Sequence, residues 1–311
     1  MAIGRDSISN AALRIAPHIR RTPIMDVRME GIAMPLTLKL ELLQHSGSFK
    51  ARGAFNNLVG RNPSGPGVAA ASGGNHGAAV AFAARALGHK AKIFVPEIAS
   101  PAKLARIASY GAEIVQKGAN YNEALALCDA HVEATGAVSI HAYDAEATLQ
   151  GQGTLARELE DQSPDLDTLL VAVGGGGLIG GIAAWYQSSV KIVGVEPETC
   201  NTLSAALAAG KPVAIKPSGI AADSLGSTFA GTLMLPIAQA HIDQVVLVSD
   251  DAIRDAQRYL WKEAQLVSEP GGAAALAALL SGVYRPEKGE RVGVVICGAN
   301  TTMDAFGKLF A

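Results

Sequence analysis

The chain has 311 residues, enough for about two domains at roughly 150 residues each. Hydrophobic residues make up 49 % and charged residues 17 %, so a large core can form and the composition of a disordered chain is excluded. The formal net charge is −2 and no lysine/arginine run stands out, which argues against a nucleic-acid or anionic-membrane surface as the main partner.

In chain order, the N-terminal residues show no long apolar stretch followed by a small-residue cleavage site, so no secretory signal is expected. A helix is expected around Ser7–Ile15, a strand at Leu36–Glu41 and a helix at Lys50–Val59. The turn cluster Asn62–Gly67 (NPSGPG) reads as a joint between two lobes. Gly67–Ser72 reads as a strand leading into a helix that runs through Leu87. Ala91–Pro96 is followed by a helix over Pro101–Tyr110, with Pro101 suited to its first turn. Ala112–Gln116 precedes a helix over Tyr121–Thr135, and Ala137–Ala142 precedes one reaching Glu160. Thr168–Val173, Lys191–Glu196, Asp243–Val248 and Arg291–Cys297 are compact, β-branched-rich strands, each followed by helix-forming sequence.

This alternation predicts βαβ units and parallel sheets, an α/β protein. The strand runs are apolar throughout, as expected when helices cover both faces. After Cys297 the remaining chain suffices for one terminal helix, with no room for a regulatory domain. Val171–Ala184 is apolar but too short and too rich in glycine for a membrane span. The three cysteines, Cys128, Cys200 and Cys297, are widely spaced and odd in number, so reduced thiols of a cytoplasmic protein are expected.

Four segments lie at strand ends, where open α/β sheets gather ligands. In His45–Gly53 (HSGSFKARG), Lys50 stands at a helix start, against the positive end of the macrodipole. A covalent imine or a bound anion would account for that placement; a solvated surface lysine is the alternative. In Ala71–Ala84, the run Ser72-Gly73-Gly74-Asn75-His76 can offer main-chain donors to a carboxylate at a helix N-terminus. In Leu169–Ala184, the four glycines Gly174–Gly177 can wrap a phosphate, and Gly180-Gly181 follow within the helix. That segment contains Gly-x-Gly-x-x-Gly, and Glu196 loosely meets the demand for a ribose-binding acid, so a nicotinamide- or flavin-dependent dehydrogenase is a rival reading. In Val292–Thr302 the strand ends at Cys297, and Asn300-Thr301-Thr302 reads as a helix cap.

Together the four segments resemble the fold-type-II pyridoxal-phosphate enzymes, the tryptophan synthase β-like group, and within them the serine/threonine dehydratases. The resemblance implies two open, twisted, mainly parallel sheets flanked by helices, with the active site between a large domain (1–53 plus 150–311) and a small inserted one (54–149). It implies that Lys50 carries the cofactor and, once released, removes the α-proton. It further implies that Phe49 packs against the pyridine ring, Asn75 bonds the ring's phenolic oxygen and Ser72, Gly73, Gly74, Asn75 and His76 hold the substrate carboxylate. Gly174, Gly175, Gly176 and Gly177, with Leu178 opening the helix, would bind the phosphate, and Cys297 would face the pyridine nitrogen. A thiol there is a weaker proton donor than a carboxylate, which favours prompt loss of a β-leaving group and disfavours transamination.

The implied activity is elimination of water from a 3-hydroxy amino acid such as L-threonine or L-serine, giving a 2-oxo acid and ammonia. A dehydratase for 3-hydroxyaspartate or a phenylserine is an alternative, and a catalytically silent ligand-binding protein on the same fold is the non-enzyme one. Serine racemases carry a second serine where this chain has Gly73, so racemisation is disfavoured. Their cation site is incomplete here: Glu196 matches, but Thr202 replaces an expected aspartate. No divalent metal is therefore expected, while a monovalent cation on main-chain carbonyls stays open. Glu269, in Ser268–Leu279, either lines the site or caps a helix. The resemblance also implies a cytoplasmic homodimer acting on a small-molecule substrate, without nucleic-acid or membrane partners.

Overall fold

The apolar strand runs assemble into two separate sheets. The computed structural model describes residues 3–30, 32 and 34–310. In chain order its strands are β1 (Ile24–Val27), β2 (Leu36–Lys39), β3 (Val68–Ala71), β4 (Ala91–Val95), β5 (Glu113–Gln116), β6 (Val138–Ser139), β7 (Thr168–Ala172), β8 (Lys191–Pro197), β9 (Gln244–Val248) and β10 (Val292–Val295). The first seven helices are α1 (Arg5–Ile15), α2 (Lys50–Leu58), α3 (Asn75–Ala86), α4 (Pro101–Ser109), α5 (Tyr121–Thr135), α6 (Glu146–Gln162) and α7 (Gly177–Tyr186). They are followed by α8 (Thr202–Ala209), α9 (Ala222–Leu225), α10 (Met234–His241), α11 (Asp250–Ala264), α12 (Pro270–Leu280) and α13 (Met303–Gly307). None of the described helices is long and apolar enough to cross a membrane.

The larger sheet has the order β1-β2-β10-β7-β8-β9, and the smaller β5-β4-β3-β6. Every pairing is parallel except β1 with β2. Strands β7 and β10 are buried along their whole length, which accounts for their unbroken apolar sequence. In the smaller sheet, side chains alternate between two cores. Val68 and Ala70 join Ala79, Val80 and Ala83 of α3, while Ala69 and Ala71 join Cys128 of α5.

The antiparallel edge strand β1 was not anticipated. Its residues are half-buried or exposed, so it lacks the apolar signature of the inner strands. The expected strand at 137–142 is only two residues long, because the chain turns at His141 toward the site described below. Residues 62–67 do form a turn, but not a joint between lobes. They connect α2 to β3, and Leu58 and Val68 share one core.

Helix α2 spans both halves of the structure. Ala51, Ala54, Phe55 and Leu58 pack into the core of the smaller sheet. On another side, Gly53 meets Gly151 of α6, where a methyl group would lie 2.7 Å from the Gly53 Cα. Two residues on, and so on the opposite side of α6, Gly153 faces Gly181 of α7, and a methyl on Gly181 would lie 2.6 Å from the Gly153 amide nitrogen. Helices α2, α6 and α7 thus approach backbone to backbone at these glycines, and Gly181 serves that packing.

A buried ion cluster fastens α2 to the larger sheet. Arg52 donates from Nε and Nη2 to the Glu41 carboxylate (2.8 and 2.7 Å) and from Nη2 to Glu158 on α6 (3.0 Å). Lys39 on β2 donates to the other Glu158 oxygen at 2.5 Å and to Gln162 at 2.7 Å. The side chains of Arg52, Lys39 and Glu41 are fully buried. Two cations face two carboxylates, so the cluster is neutral as a whole.

Candidate active site

Lys50 is the first residue of α2, and no side chain caps that helix start. Its Nζ donates to the Ala142 carbonyl at 2.9 Å and lies 5.1 Å from the centre of the Phe49 ring. Burial lowers the amine to about 8, although Cys297 and Glu269 pull the other way. A sizeable fraction of the lysine is therefore a free nucleophile near neutrality.

The chain after β10 is zipped onto the segment before Lys50. Phe49 N–H donates to the Cys297 carbonyl (3.2 Å), Ala299 N–H donates to the Gly47 carbonyl (3.0 Å), and Ser48 bridges Gly298. This pairing brings Cys297, at the end of a central strand, beside Lys50. Its buried Sγ donates to the Gly271 carbonyl at 3.4 Å. Burial and the nearby Glu269 push the thiol far up, so Cys297 is a neutral thiol.

The segment 72–76 runs from the end of β3 into α3. Gly74 is the N-cap and no side chain caps α3, so the first amides of the helix have no partner within it. Ser72 Oγ accepts from Gly74 N–H at 3.2 Å. The His76 ring turns inward to the Ile140 carbonyl (2.7 Å), and burial lowers its pKa to about 3, so the imidazole is neutral. What His76 can offer a ligand is its main chain.

Gly174–Gly177 join β7 to α7. Gly176 is the N-cap with φ +91°, a conformation that favours glycine. A methyl group at Gly175 would lie 2.5 Å from Cγ of Tyr143, and one at Gly177 would lie 2.9 Å from the Tyr143 Cα. The loop is therefore bare backbone, covered on one side by Tyr143. Leu178 is buried in α7 and contributes packing.

Other groups reach the site from distant parts of the chain. Glu269, at the N-cap of α12, makes no cap bond with its side chain. Instead its Oε1 accepts from Asn75 Nδ2 at 2.6 Å, and burial raises its carboxyl to about 7. Of the two sequence readings of Glu269, lining the site is the one observed. Asn300 donates to Asn75 Oδ1 (2.5 Å) and to the Ser46 carbonyl (2.9 Å). The expected cap beyond Cys297 is made by Thr302, whose side chain accepts from Ala305 N–H. The turn 141–144, which supplies the Ala142 carbonyl and the Tyr143 ring, carried no local signal of a site.

The dehydrogenase alternative loses its acid. Glu196 Oε1 accepts from Leu203 N–H (2.6 Å), and Oε2 accepts from Ser204 N–H and Oγ (2.9 and 2.7 Å), so the carboxylate is taken up by the start of α8. It cannot also hold a ribose. Among the described residues, no group of three or more His, Cys, Asp or Glu could hold a metal ion.

A family model for pyridoxal-phosphate dependent enzymes matches residues 15–298. The chain belongs to that family. Within it, the chain is a fold-type-II enzyme of the serine/threonine dehydratase group, a lyase. It is 35 % identical over 310 residues to a protein named phenylserine dehydratase from Ralstonia pickettii, covering 97 % of this chain and 94 % of that one. It is 34 % identical over 311 residues to a protein named L-threonine ammonia-lyase from Thermotoga maritima, covering 98 % and 77 %. Among solved structures, maize serine racemase superimposes with a TM-score of 0.93 at 34 % identity, covering 100 % of this chain and 97 % of that one.

The residues present fit pyridoxal phosphate. An amine of lowered pKa is bonded to Ala142, and the next residue, Tyr143, lies against a bare glycine loop at a helix start, suited to a phosphate. The buried Ser48 Oγ has no partner among the described residues, consistent with a polar group arriving from outside the chain. Gly175→Ala is expected to displace Tyr143 and weaken cofactor affinity about tenfold, roughly 1.4 kcal/mol. Equilibrium dialysis measures this, and undiminished affinity would show that the loop has room to spare.

Proposed function

We propose that this lyase removes water from a 3-hydroxy amino acid such as L-threonine or L-serine and releases a 2-oxo acid and ammonia. The observation that carries this reading is the main-chain pairing of 47–49 with 297–299, which sets the buried, neutral Cys297 thiol beside Lys50. When bound, the cofactor supplies an electron sink that acidifies the α-hydrogen of the substrate.

The protein's part is to hold, orient and move protons. The α3 start, from Ser72 to His76, binds the substrate carboxylate with main-chain N–H groups. Lys50 holds the cofactor and, in its free form, accepts the α-proton at Nζ. Gly174–Gly177 and Leu178 secure the phosphate, Asn75 and Phe49 orient the ring, and Cys297 adds no charge beside it. Asn75 is itself held by Glu269 and Asn300, which fixes which way its amide faces. The β-hydroxyl would take up a proton and leave as water as the Cβ–O bond breaks, and the released enamine would tautomerise to an imine that one water hydrolyses to the 2-oxo acid and ammonia.

Racemisation needs an acid on the opposite side of the α-carbon from Lys50, and Gly73 has none to give. Space there is also short, since a methyl on Gly73 would lie 3.3 Å from the Ala99 Cβ. Any monovalent cation would bind main-chain carbonyls, because the Glu196 oxygens are occupied. Three unpaired, buried thiols support a reducing compartment, and the reading includes a cytoplasmic homodimer.

The test is a panel of L-threonine, L-serine, a phenylserine and 3-hydroxyaspartate with the purified, cofactor-loaded protein. Production of a 2-oxo acid and ammonia from L-threonine or L-serine is expected. Release only from one of the other two would transfer the reading to that substrate. Accumulation of the D-enantiomer without 2-oxo acid would replace the lyase by a racemase.

A further inference from the structure

We propose that His141 is a positioning residue of the cofactor site, acting through an unprotonated Nδ1 that shapes the turn 141–144. Nδ1 accepts from Asp144 N–H at 2.8 Å and from Tyr143 N–H at 3.3 Å. An imidazole nitrogen accepting from residues two and three positions ahead does what an Asn or Asp oxygen does in an Asx turn. Both bonds require a lone pair on Nδ1, so the ring carries its proton on Nε2. Burial keeps this histidine below its ordinary pKa, with Asp144 opposing and Lys50 reinforcing that effect, so the neutral ring is the form present.

Three consecutive residues of this turn each serve a different part of the site. Ala142 presents its carbonyl to Lys50 Nζ at 2.9 Å. Tyr143 covers the glycine loop, with its ring against Gly175 and its Cα and Cβ against Gly177, and the ring also meets the His141 ring edge to face at 4.7 Å. Asp144 accepts from Thr232 N–H and Oγ1 and from Leu233 N–H, which ties the turn to the start of α10. The same turn cuts the strand β6 short after Ser139. One acceptor atom thus sets the register among the lysine, the glycine loop and the α10 start. Behind His141 lies a cavity of about 130 Å³ that Tyr121, Cys128 and Asp129 also line, so replacements there have room.

The proposal rests on the cofactor reading above, but it can fail separately. His141→Leu removes the acceptor at similar bulk, and His141→Asn restores one at shorter reach. Amide hydrogen exchange on the cofactor-free chain and dialysis of the loaded enzyme are the two readouts. For His141→Leu, exchange at Tyr143 and Asp144 should accelerate about tenfold and the dissociation constant for pyridoxal phosphate should rise about tenfold, the size expected for a lost acceptor. For His141→Asn, both should return to within about threefold of the parent. Unchanged values in His141→Leu, or equal damage in both variants, would overturn the role. Should His141→Leu not fold, His141→Asn decides alone: slow exchange at the two amides upholds the role and fast exchange refutes it. The exchange measurement needs no turnover, so a negative substrate panel leaves it standing.

Discussion

Lys50→Ala should lose at least about a thousandfold in turnover, since in the proposed function one residue supplies both the covalent hold on the cofactor and the base. The variant should fold, because the only bond its amine makes among the described residues is to the Ala142 carbonyl. It should also lack the near-visible absorption band expected of the loaded parent, a readout independent of turnover. Lys50→Arg should not recover activity, because a guanidinium stays protonated and is not a nucleophile. The lowered lysine pKa adds a dependence on pH. Uptake of pyridoxal phosphate by the cofactor-free protein should accelerate as pH rises through about 8 and then level off, following the free amine. A rate that is flat across that range would contradict the assignment of Lys50.

The second large effect is on stability. Arg52→Met should destabilise the protein by about 3–5 kcal/mol, the usual result of removing one partner from a buried ion cluster. Glu41 and Glu158 would then share Lys39 alone, leaving one buried negative charge in excess. Burial tends to raise the Glu41 carboxyl, but Arg52 and Lys39 outweigh it and hold the group below its ordinary range. A carboxylate with depressed folded-state pKa stabilises at neutral pH and loses that contribution as pH falls through the folded value. In the variant Glu41, without its arginine, protonates readily, so the gap between parent and variant should narrow on acidification. Urea unfolding at neutral and acid pH measures this. Adding Glu41→Gln to Arg52→Met should recover part of the loss, whereas further destabilisation would refute the charge argument.

The parallel sheets were legible because buried strands leave contiguous apolar runs such as Thr168–Val173. The edge strand β1 was not, since a strand exposed on one side carries little of that pattern. Lys50 and Gly174–Gly177 were legible because each is unusual for its local element: a lysine opening a helix and four glycines between a strand and a helix. Glu269 and Asn300 stand 194 and 225 residues from the Asn75 they hold, and only the assembled fold shows that pairing. Glu196 is the converse case. Its position near the end of β8 matched a ligand-binding acid, but the same position lets it cap α8, a local use that spacing cannot distinguish. The turn 141–144 escaped notice because a histidine accepting main-chain bonds mimics a turn residue without belonging to the usual turn formers.

The glycine contacts along α6 have a consequence for how the site is dimensioned. Lys50 begins the helix on one side of α6, and the loop Gly174–Gly177 begins the helix on the other. Gly53 against Gly151 and Gly153 against Gly181 bring the backbones of the three helices into close approach. The separation between the lysine and the glycine loop is therefore gauged by the thickness of one helix backbone. A cofactor of fixed length, tethered at both ends, would tolerate little change in that gauge. A single methyl group at Gly151 or Gly181, well away from any reacting atom, would alter the span itself rather than anything that lines it.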